Sequence, residues 1–255
     1  MLLSLASCGG GDSNNPKASD PVALPLANWN DALAEVSYVD SHTVTRTVEI
    51  THSLAGATAS KSVVNVTTFA GRLRGNIEER NVFTVTEGGQ TVTGSYGYRD
   101  GFCYYSGADE SFKSQVGYEE YLAHVGVKID LSVMKFTKAS MIYKRDGARE
   151  IHLSHATGDL SLFDGMLAEL SALAGKEIRL SDVRVVATVG KVLGTSDRYP
   201  ITLIVTPIFE AEGVDLPTAS IRLDFSNIAM TSVERTDDFD GMPVRDNEFP
   251  PRPSF

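Results

Sequence analysis

Five histidines are the side chains of this sequence best suited to acid–base chemistry or metal binding. His152 and His155 are three residues apart in a segment with strand-like alternation, so their side chains point to opposite faces and cannot share a metal ion. His42 and His52 have the same parity in an earlier segment, but ten residues of strand separate them by about 33 Å. A zinc site would need ligands converging from elsewhere in the chain, and we therefore expect no metal and no cofactor.

Motifs that carry catalysis are missing from the sequence. It has no nucleophile elbow, phosphate-binding loop, dinucleotide fingerprint or zinc-protease helix. The stretch DDFDG at 237–241 matches part of a calcium loop but lacks both the D-x-D-x-D-G spacing and the distal glutamate, which favours a solvated acidic turn. Catalytic triads are assembled in space, so the sequence alone leaves an envelope hydrolase open. We expect a protein that is not an enzyme.

The chain contains two cysteines, too few for a disulfide framework in 255 residues. Cys103 stands between Phe102 and Tyr104 in a strand-like segment, where a free cysteine is usually a small buried hydrophobic residue. A reactive thiol would need a basic neighbour, and Arg99 is the basic residue close by in sequence.

The other cysteine, Cys8, ends an apolar opening run, MLLSLASC. Leu5-Ala6-Ser7-Cys8 resembles the lipobox of bacterial lipoproteins, with an aliphatic residue, two small residues and the cysteine that receives the lipid. The resemblance implies a signal peptide over residues 1–7 and a lipidated Cys8 as the mature N-terminus. This signal is short and carries no lysine or arginine. Two alternatives are a natural start upstream of Met1 and an apolar start that arises by chance.

Residues 8–27 are rich in glycine, serine, asparagine, aspartate and proline, a composition typical of a tether. We expect an extracytoplasmic protein, on the cell surface or in the periplasm, whose membrane partner is reached through the lipid anchor. The formal net charge of −10 argues against a nucleic-acid partner.

Strands dominate the body of the chain. The stretch VTRTVEITH places Val44, Val48 and Ile50 on one face and polar residues on the other, which indicates a half-buried antiparallel strand. Further strands are predicted over 60–70, 72–79, 81–86, 91–98, 102–105, 135–144, 149–155, 177–193, 198–210 and 218–233. A Gly-Gly turn at 88–89 and an Asp-Gly turn at 100–101 each connect the two strands of a predicted hairpin.

Three helices are predicted between the strands. Residues 28–39 and 118–125 are short, whereas residues 160–174 carry a clear apolar stripe at helical spacing, followed by Gly175 as a C-terminal cap. After Val233 the chain is acidic and proline-rich and is predicted to be coil.

We therefore expect an α+β fold over residues 28–247: a curved antiparallel sheet of about ten strands, a half-barrel, wrapped around two to three helices, with a coil over 248–255. A sheet with one apolar face must bury that face against another element. The inward positions of the last three strands are the candidate lining of a ligand cavity: Val183, Val185, Val189, Ile201, Leu203, Val205, Ile221, Leu223 and Phe225.

Aromatic residues cluster across one predicted hairpin. They are Tyr96, Tyr98, Phe102, Tyr104 and Tyr105. Cross-strand packing explains them, and a rim of the ligand cavity is the alternative.

The order of elements resembles the bacterial lipoprotein-carrier superfamily, the LolA-like and LppX-LprG-like half-barrels. The stretches that carry the likeness are YGYRDGFCYYSGADESFKSQVGYEEYL, IHLSHATGDLSLFDGMLAELSALAG and the long-strand meander over 178–234. Members of that superfamily hold acyl chains or other amphiphiles between the concave face of the sheet and the helices. The resemblance implies a lipid-anchored lipoprotein that binds a lipid or other hydrophobic ligand and performs no chemistry. The alternative is a surface interaction or envelope-sensor protein with a fully packed core.

Overall fold

The computed structural model describes residues 22–23, 42–54, 57–71, 77–125, 134–143, 149–191, 198–228, 232–233 and 238–251. The predicted signal segment, Cys8 and the predicted helix over 28–39 lie outside the described residues.

The described chain is built mainly from strands. They are β1 (Val22–Ala23), β2 (His42–Leu54), β3 (Ala57–Ala70), β4 (Glu78–Glu87), β5 (Gln90–Arg99), β6 (Phe102–Ser106), β7 (Ser111–Gln115), β8 (Met134–Tyr143), β9 (Arg149–Gly158), β10 (Arg179–Lys191), β11 (Arg198–Glu210) and β12 (Thr218–Ser226). All pair antiparallel in one curved, unclosed sheet, which confirms the α+β half-barrel.

The sheet consists of two meanders. Its order is β1-β8-β9-β10-β11-β12-β2-β3-β4-β5-β6-β7, so most neighbours in space are neighbours in the chain. The pair β12–β2 joins the two meanders, with Ile221 opposite Val48 in the register. This ladder makes one continuous inward face out of two hairpin series.

The strand count, the division of β4 and the end of β12 differ from the sequence prediction. The sheet has twelve strands rather than about ten, because β1 and β7 were not predicted. β4 is one strand across Arg80, where two were expected. β12 ends at Ser226 instead of Val233: Asn227 has φ 50°, a left-handed conformation that asparagine tolerates and that stops the ladder.

Two helices cover the inward face. α1 (Tyr118–Val125) has the predicted bounds, whereas α2 (Asp164–Ala174) begins four residues later than predicted because a 3₁₀ turn over Ser161–Phe163 precedes it. Gly175 has φ 63° and ends α2, as the sequence predicted. Within the described residues, no helix has the length and apolar character needed to cross a bilayer.

The main core lies between α2 and the meander formed by β8–β12. Phe163, Met166 and Leu170 are each at most 3% exposed and pack on the inward side chains of the sheet. Val183 and Val185 are fully buried there. The apolar alternation of the long strands is explained by this contact.

A second cluster lies beneath α1. Tyr96, Tyr98 and Tyr121 are buried with Cys103 and Phe83. The Tyr98 ring meets the Tyr121 ring at a centroid distance of 5.6 Å. This half of the inward face is aromatic and polar, whereas the α2 half is aliphatic.

The C-terminal segment covers the open edge of β7. Lys113 N donates to Pro243 O at 3.0 Å, and Arg245 N donates to Lys113 O at 2.9 Å. Phe239 packs edge-on to Tyr104 on the outer face, at a centroid distance of 5.6 Å. The described part of the segment contains a 3₁₀ turn over Phe239–Gly241, where coil was predicted, and it satisfies backbone groups that an edge strand otherwise leaves open.

Replacement of Leu170 by alanine should destabilise the fold by about 2–5 kcal/mol, because it opens a cavity under α2. The matched control is Leu173→Ala on the same helix, where the side chain is 41% exposed. Its cost should be well under half of that for Leu170. Urea unfolding of both variants measures the difference, and equal losses would contradict the packing described for α2.

Candidate functional site

A cleft of about 180 Å³ opens at the C-terminal end of α2. Its walls come from the end of β2, the last turns of α2 and the loop between β11 and β12. The lining residues are His52, Ser53, Leu170, Leu173, Ala174, Ile178, Val214, Asp215 and Pro217.

Local hydrogen bonds set the shape of this cleft. Ile178 N donates to Ser171 Oγ at 2.9 Å, which folds the chain back under the helix end. Lys176 Nζ donates to Glu212 O at 3.1 Å and ties the helix end to the β11–β12 loop. Because Gly175 takes the left-handed conformation, the chain can reverse there without strain.

The cleft is lined by both apolar and polar residues. Leu170 and Ile178 are buried and Leu173 is 41% exposed. Polar groups come from three residues, His52, Ser53 and Asp215. Small-molecule sites have such a mixed lining at volumes of about 300–1,000 Å³, so a cleft of about 180 Å³ suits only part of such a ligand.

The nine predicted lining residues lie elsewhere. Seven of them belong to the buried core against α2: Val183, Val185, Val189, Leu203, Val205, Ile221 and Leu223. Phe225 is partly buried against this core. Ile201 is half-buried at a bulge, since Thr188 pairs with Thr202 and Val189 with Pro200. Their predicted inward orientation agrees with this packing, but none of the nine lines the cleft.

A buried polar network, which sequence reasoning missed, lies beneath α1 and is called here the Glu79 hub. Glu79 Oε1 accepts hydrogen bonds from Asn81 Nδ2 at 2.7 Å and Tyr121 Oη at 2.9 Å. Glu79 Oε2 accepts one from Tyr118 Oη at 2.9 Å. Asn81 Oδ1 in turn accepts from Thr67 Oγ1 at 2.6 Å. The sequence carried one indication of this network: Glu79, Asn81 and Phe83 are spaced two apart along β4, so their side chains point to the same face.

The hub has a clear electrostatic consequence. Burial, together with the neighbouring Glu79 carboxylate, raises the pKa of the Tyr121 phenol well above its ordinary value. Tyr121 therefore stays neutral and donates to Glu79. The arrangement satisfies a buried charge and attaches α1 to the sheet.

Two further polar side chains face inward beside the hub. Arg46 is 4% exposed, and burial lowers the pKa of its guanidinium. Its cross-strand neighbour Asn65 donates from Nδ2 to Tyr96 Oη at 3.1 Å. Arg46 and Asn65 lie between the aliphatic core and the Glu79 hub.

Cys103 is fully buried, as the sequence predicted, and burial raises the pKa of its thiol. The predicted aromatic cluster is divided between the two faces: Tyr96 and Tyr98 pack inward, whereas Tyr104 packs outward on Phe239. Cross-strand packing thus explains the cluster, and none of its members lines the cleft. Among the described residues, no group of three or more His, Cys, Asp or Glu could hold a metal ion.

Comparison with known proteins gave matches only among solved structures, since no family model and no curated protein matches the chain. LprF from Mycobacterium bovis is 9% identical over 83% of this chain and 98% of its own, with a TM-score of 0.41. The Mycobacterium tuberculosis lipoprotein LppX is 13% identical over 82% of this chain and 96% of its own, with a TM-score of 0.36. A DUF1329 family protein from Desulfovibrio piger is 12% identical over 84% and 96%, with a TM-score of 0.29.

The hub predicts a specific alkaline instability. A folded-state pKa raised above the unfolded value of about 10 gives stability that is complete below pH 10 and is lost as the pH rises beyond it. Tyr121→Phe should lower the free energy of unfolding at pH 8 by about 1.5–3 kcal/mol, because a donor to a buried carboxylate is lost. The same variant should lose less stability than the wild type between pH 9 and pH 11.

Urea unfolding across that pH range measures both effects. Tyr105→Phe is the control, since Tyr105 is only partly buried and its ring packs on Phe112, at a centroid distance of 5.8 Å. An alkaline loss that is unchanged in the Tyr121 variant would mean that other groups cause it.

Proposed function

We propose that this chain is a lipid-anchored envelope protein that binds the apolar part of an amphiphile in the α2 cleft and performs no chemistry. The cleft itself is the observation that supports the proposal. It combines an aliphatic floor of Leu170, Ala174 and Ile178 with polar groups at His52, Ser53 and Asp215. Such a site holds an apolar group by burial and meets its head group with hydrogen-bonding side chains.

The cleft volume limits the size of the group that is bound. An apolar cavity of about 150 Å³ accommodates one benzene molecule, so about 180 Å³ suits a ring or a chain segment of roughly six carbons. Full burial of six methylenes at about 0.8 kcal/mol each gives about 5 kcal/mol before the entropic cost of association is subtracted. That sum corresponds to a dissociation constant no tighter than about 0.1 mM.

Weak binding of this order is compatible with a tethered protein. A lipid on Cys8 would hold the body close to a bilayer, where short linkers give effective concentrations in the millimolar range. The two or three acyl chains of a lipoprotein cysteine meet the requirement for more than one membrane signal. The proposed anchor and the proposed cleft therefore support each other.

The anchor is tested by replacing Cys8. In a bacterium with lipoprotein processing, the full chain should partition into a detergent phase and carry labelled palmitate, whereas Cys8→Ser should do neither. Cys103→Ser is the matched control, since its fully buried thiol is not a site for lipid. Label that persists in the Cys8 variant would rule out this anchor.

The cleft is tested with hexanol, a soluble six-carbon probe, on the Cys8→Ser protein. Backbone amide NMR signals of the α2 end and the β11–β12 loop should shift saturably. Ala174→Phe should abolish the shifts because it fills the cleft, whereas Ala172→Phe, at an exposed position on the same helix, should retain them. Shifts that are absent or do not saturate in the unsubstituted protein would refute the ligand site.

A second candidate function is favoured by the filled inward face. Seven predicted lining residues are packed under Phe163, Met166 and Leu170, so the described part of the α2 half is filled by the protein's own side chains. A surface interaction or sensor protein needs only such a packed body. Failure of hexanol to bind, combined with a stable fold, would favour this function over ligand binding.

A further inference from the structure

We propose that the edge of β7 is a docking site for an extended segment of another protein, and that the C-terminal segment, residues 238–251, occupies this edge as an autoinhibitory contact. A partner that displaces the segment would add a strand to the sheet, which is an established mode of peptide recognition. None of the residues involved lines the α2 cleft, so the inference is independent of ligand binding there.

The outer side of the edge holds two apolar side chains of the segment. Phe239 and Met242 are each 4% exposed and pack with Tyr104. Lys113 Nζ donates to Phe239 O at 2.9 Å and lies 4.9 Å from the centroid of the Phe239 ring. The body of the protein therefore offers a site for an aromatic residue and, three positions later, a second apolar residue.

A third side chain of the segment continues this spacing of three residues. Arg245 Nη1 lies 3.0 Å from Glu110 Oε2 of the β6–β7 loop. The Arg245 guanidinium also lies 4.7 Å from the ring centroid of Phe112 in β7. Glu110 and Phe112 thus favour a basic residue in the docked segment, because a cation pairs with the carboxylate and lies over the ring.

The backbone of the segment uses only part of the edge. Lys113 bonds the segment through both its N–H and its C=O. Alternate residues of a strand direct these groups to the same side, so Ser111 and Gln115 also present theirs at the edge. Among the described residues, the backbone hydrogen bonds between the segment and β7 are the two at Lys113.

Pro243 explains why this pairing stops. In a parallel ladder continued past the bridge between Lys113 and Val244, residue 243 would donate its N–H to Ser111 O. Proline has no N–H, so this hydrogen bond cannot form. A partner segment with a different residue at this position would gain the bond. The chain's own segment therefore fits the edge less well than such a partner would.

Tethering compensates for the poorer fit. The segment follows β12 in the same chain, and a short connection gives an effective concentration in the millimolar range. The edge is thus covered in the absence of a partner, yet a better-fitting strand can displace the cover.

Three labelled peptides with the sequence of residues 238–251 test the edge in the full-length Cys8→Ser protein. One peptide is unchanged, one carries Pro243→Val, and one carries Phe239→Ser together with Met242→Ser. By fluorescence anisotropy, the Pro243→Val peptide should bind at least fivefold more tightly than the unchanged peptide, because it supplies the missing donor. The doubly substituted peptide should not bind.

Weakening the segment within the protein should open the edge to these peptides. Phe239→Ser in the protein should raise its affinity for both binding peptides at least tenfold, because the tethered competitor is weakened. Val244→Ser is the matched control, since Val244 lies on the same segment and is 59% exposed. If Phe239→Ser fails to fold, Arg245→Gln takes its place, because it removes only contacts of a partly exposed side chain.

Cys103 reports whether the segment opens. Its thiol is fully buried, and Sγ lies 3.8 Å from Glu248 O of the segment. It is the remaining cysteine of the Cys8→Ser protein. Phe239→Ser should raise the rate at which a thiol reagent labels Cys103 at least tenfold while the amide NMR spectrum stays dispersed. Pro243→Val in the protein should lower that rate.

Tighter binding of the Pro243→Val peptide together with faster Cys103 labelling would support the docking site. If labelling is faster but no peptide binds, the segment only covers the edge and the docking site is refuted. If labelling is unchanged, the segment does not open and the autoinhibitory contact is wrong. Equal affinities for the unchanged and Pro243→Val peptides would show that the Ser111 carbonyl takes no part in docking. Concentration-dependent dimers of the weakened variant would mean that a second copy, rather than another protein, occupies the edge.

Discussion

The antiparallel ladder between β12 and β2 is the contact on which the rest of the molecule depends. It joins two meanders, each made of chain neighbours, into a single sheet, with Ile221 opposite Val48 at its centre. Without this ladder the inward face would be divided, and the core under α2 would lose Val48, Ile50 and Val63 of β2 and β3. The α2 cleft also lies beside this junction, since its walls come from the end of β2 and from the loop that leads into β12. The geometry of the cleft is therefore set by a pairing between residues that are far apart in the chain.

The two halves of the inward face are covered by different physical means. Over β8–β12 and β2, α2 buries aliphatic side chains, a hydrophobic contact. Lys61 Nζ of β3 adds one directional contact, since it donates to Glu169 Oε1 of α2 at 2.8 Å. Over β4–β6, α1 is held by tyrosines and by the Glu79 hub, whose hydrogen bonds fix direction as well as distance. A buried carboxylate with three donors tolerates little movement, because loss of any donor leaves part of the charge unsatisfied. The α2 end, which has no such network in the described residues, is where the cleft opens.

The difference between the α1 and α2 contacts bears on the proposed function. A short aliphatic helix with an exposed Leu173 and a glycine cap leaves apolar space at its end, and the neighbouring loop brings Asp215 to that space. In the proposed function, the filled core would limit the ligand to about one six-carbon group inside the protein, so any longer amphiphile would extend beyond the cleft. A body that binds only the end of a ligand would gain from attachment close to the membrane, where such ligands are concentrated. The predicted lipid on Cys8 would provide that attachment.

The sequence by itself determined the elements of this fold that depend on local periodicity. Alternation in β2 and β10–β12, the bounds of α1, the apolar stripe of α2 and the left-handed Gly175 were all predictable, because each depends on residues close together in the chain. The inward faces of the last strands follow the predicted alternation except at Ile201, which is half-buried where a bulge shifts the β10–β11 register. Tertiary structure alone decided how those faces are used. Whether Val185 and Leu203 line a cavity or a packed core depends on where α2 lies, and alternation is the same in both cases. The pairing of Glu79 with Tyr121, and the approach of Asp215 to His52 around one cleft, arise from contacts over long sequence separations, which local patterns do not encode.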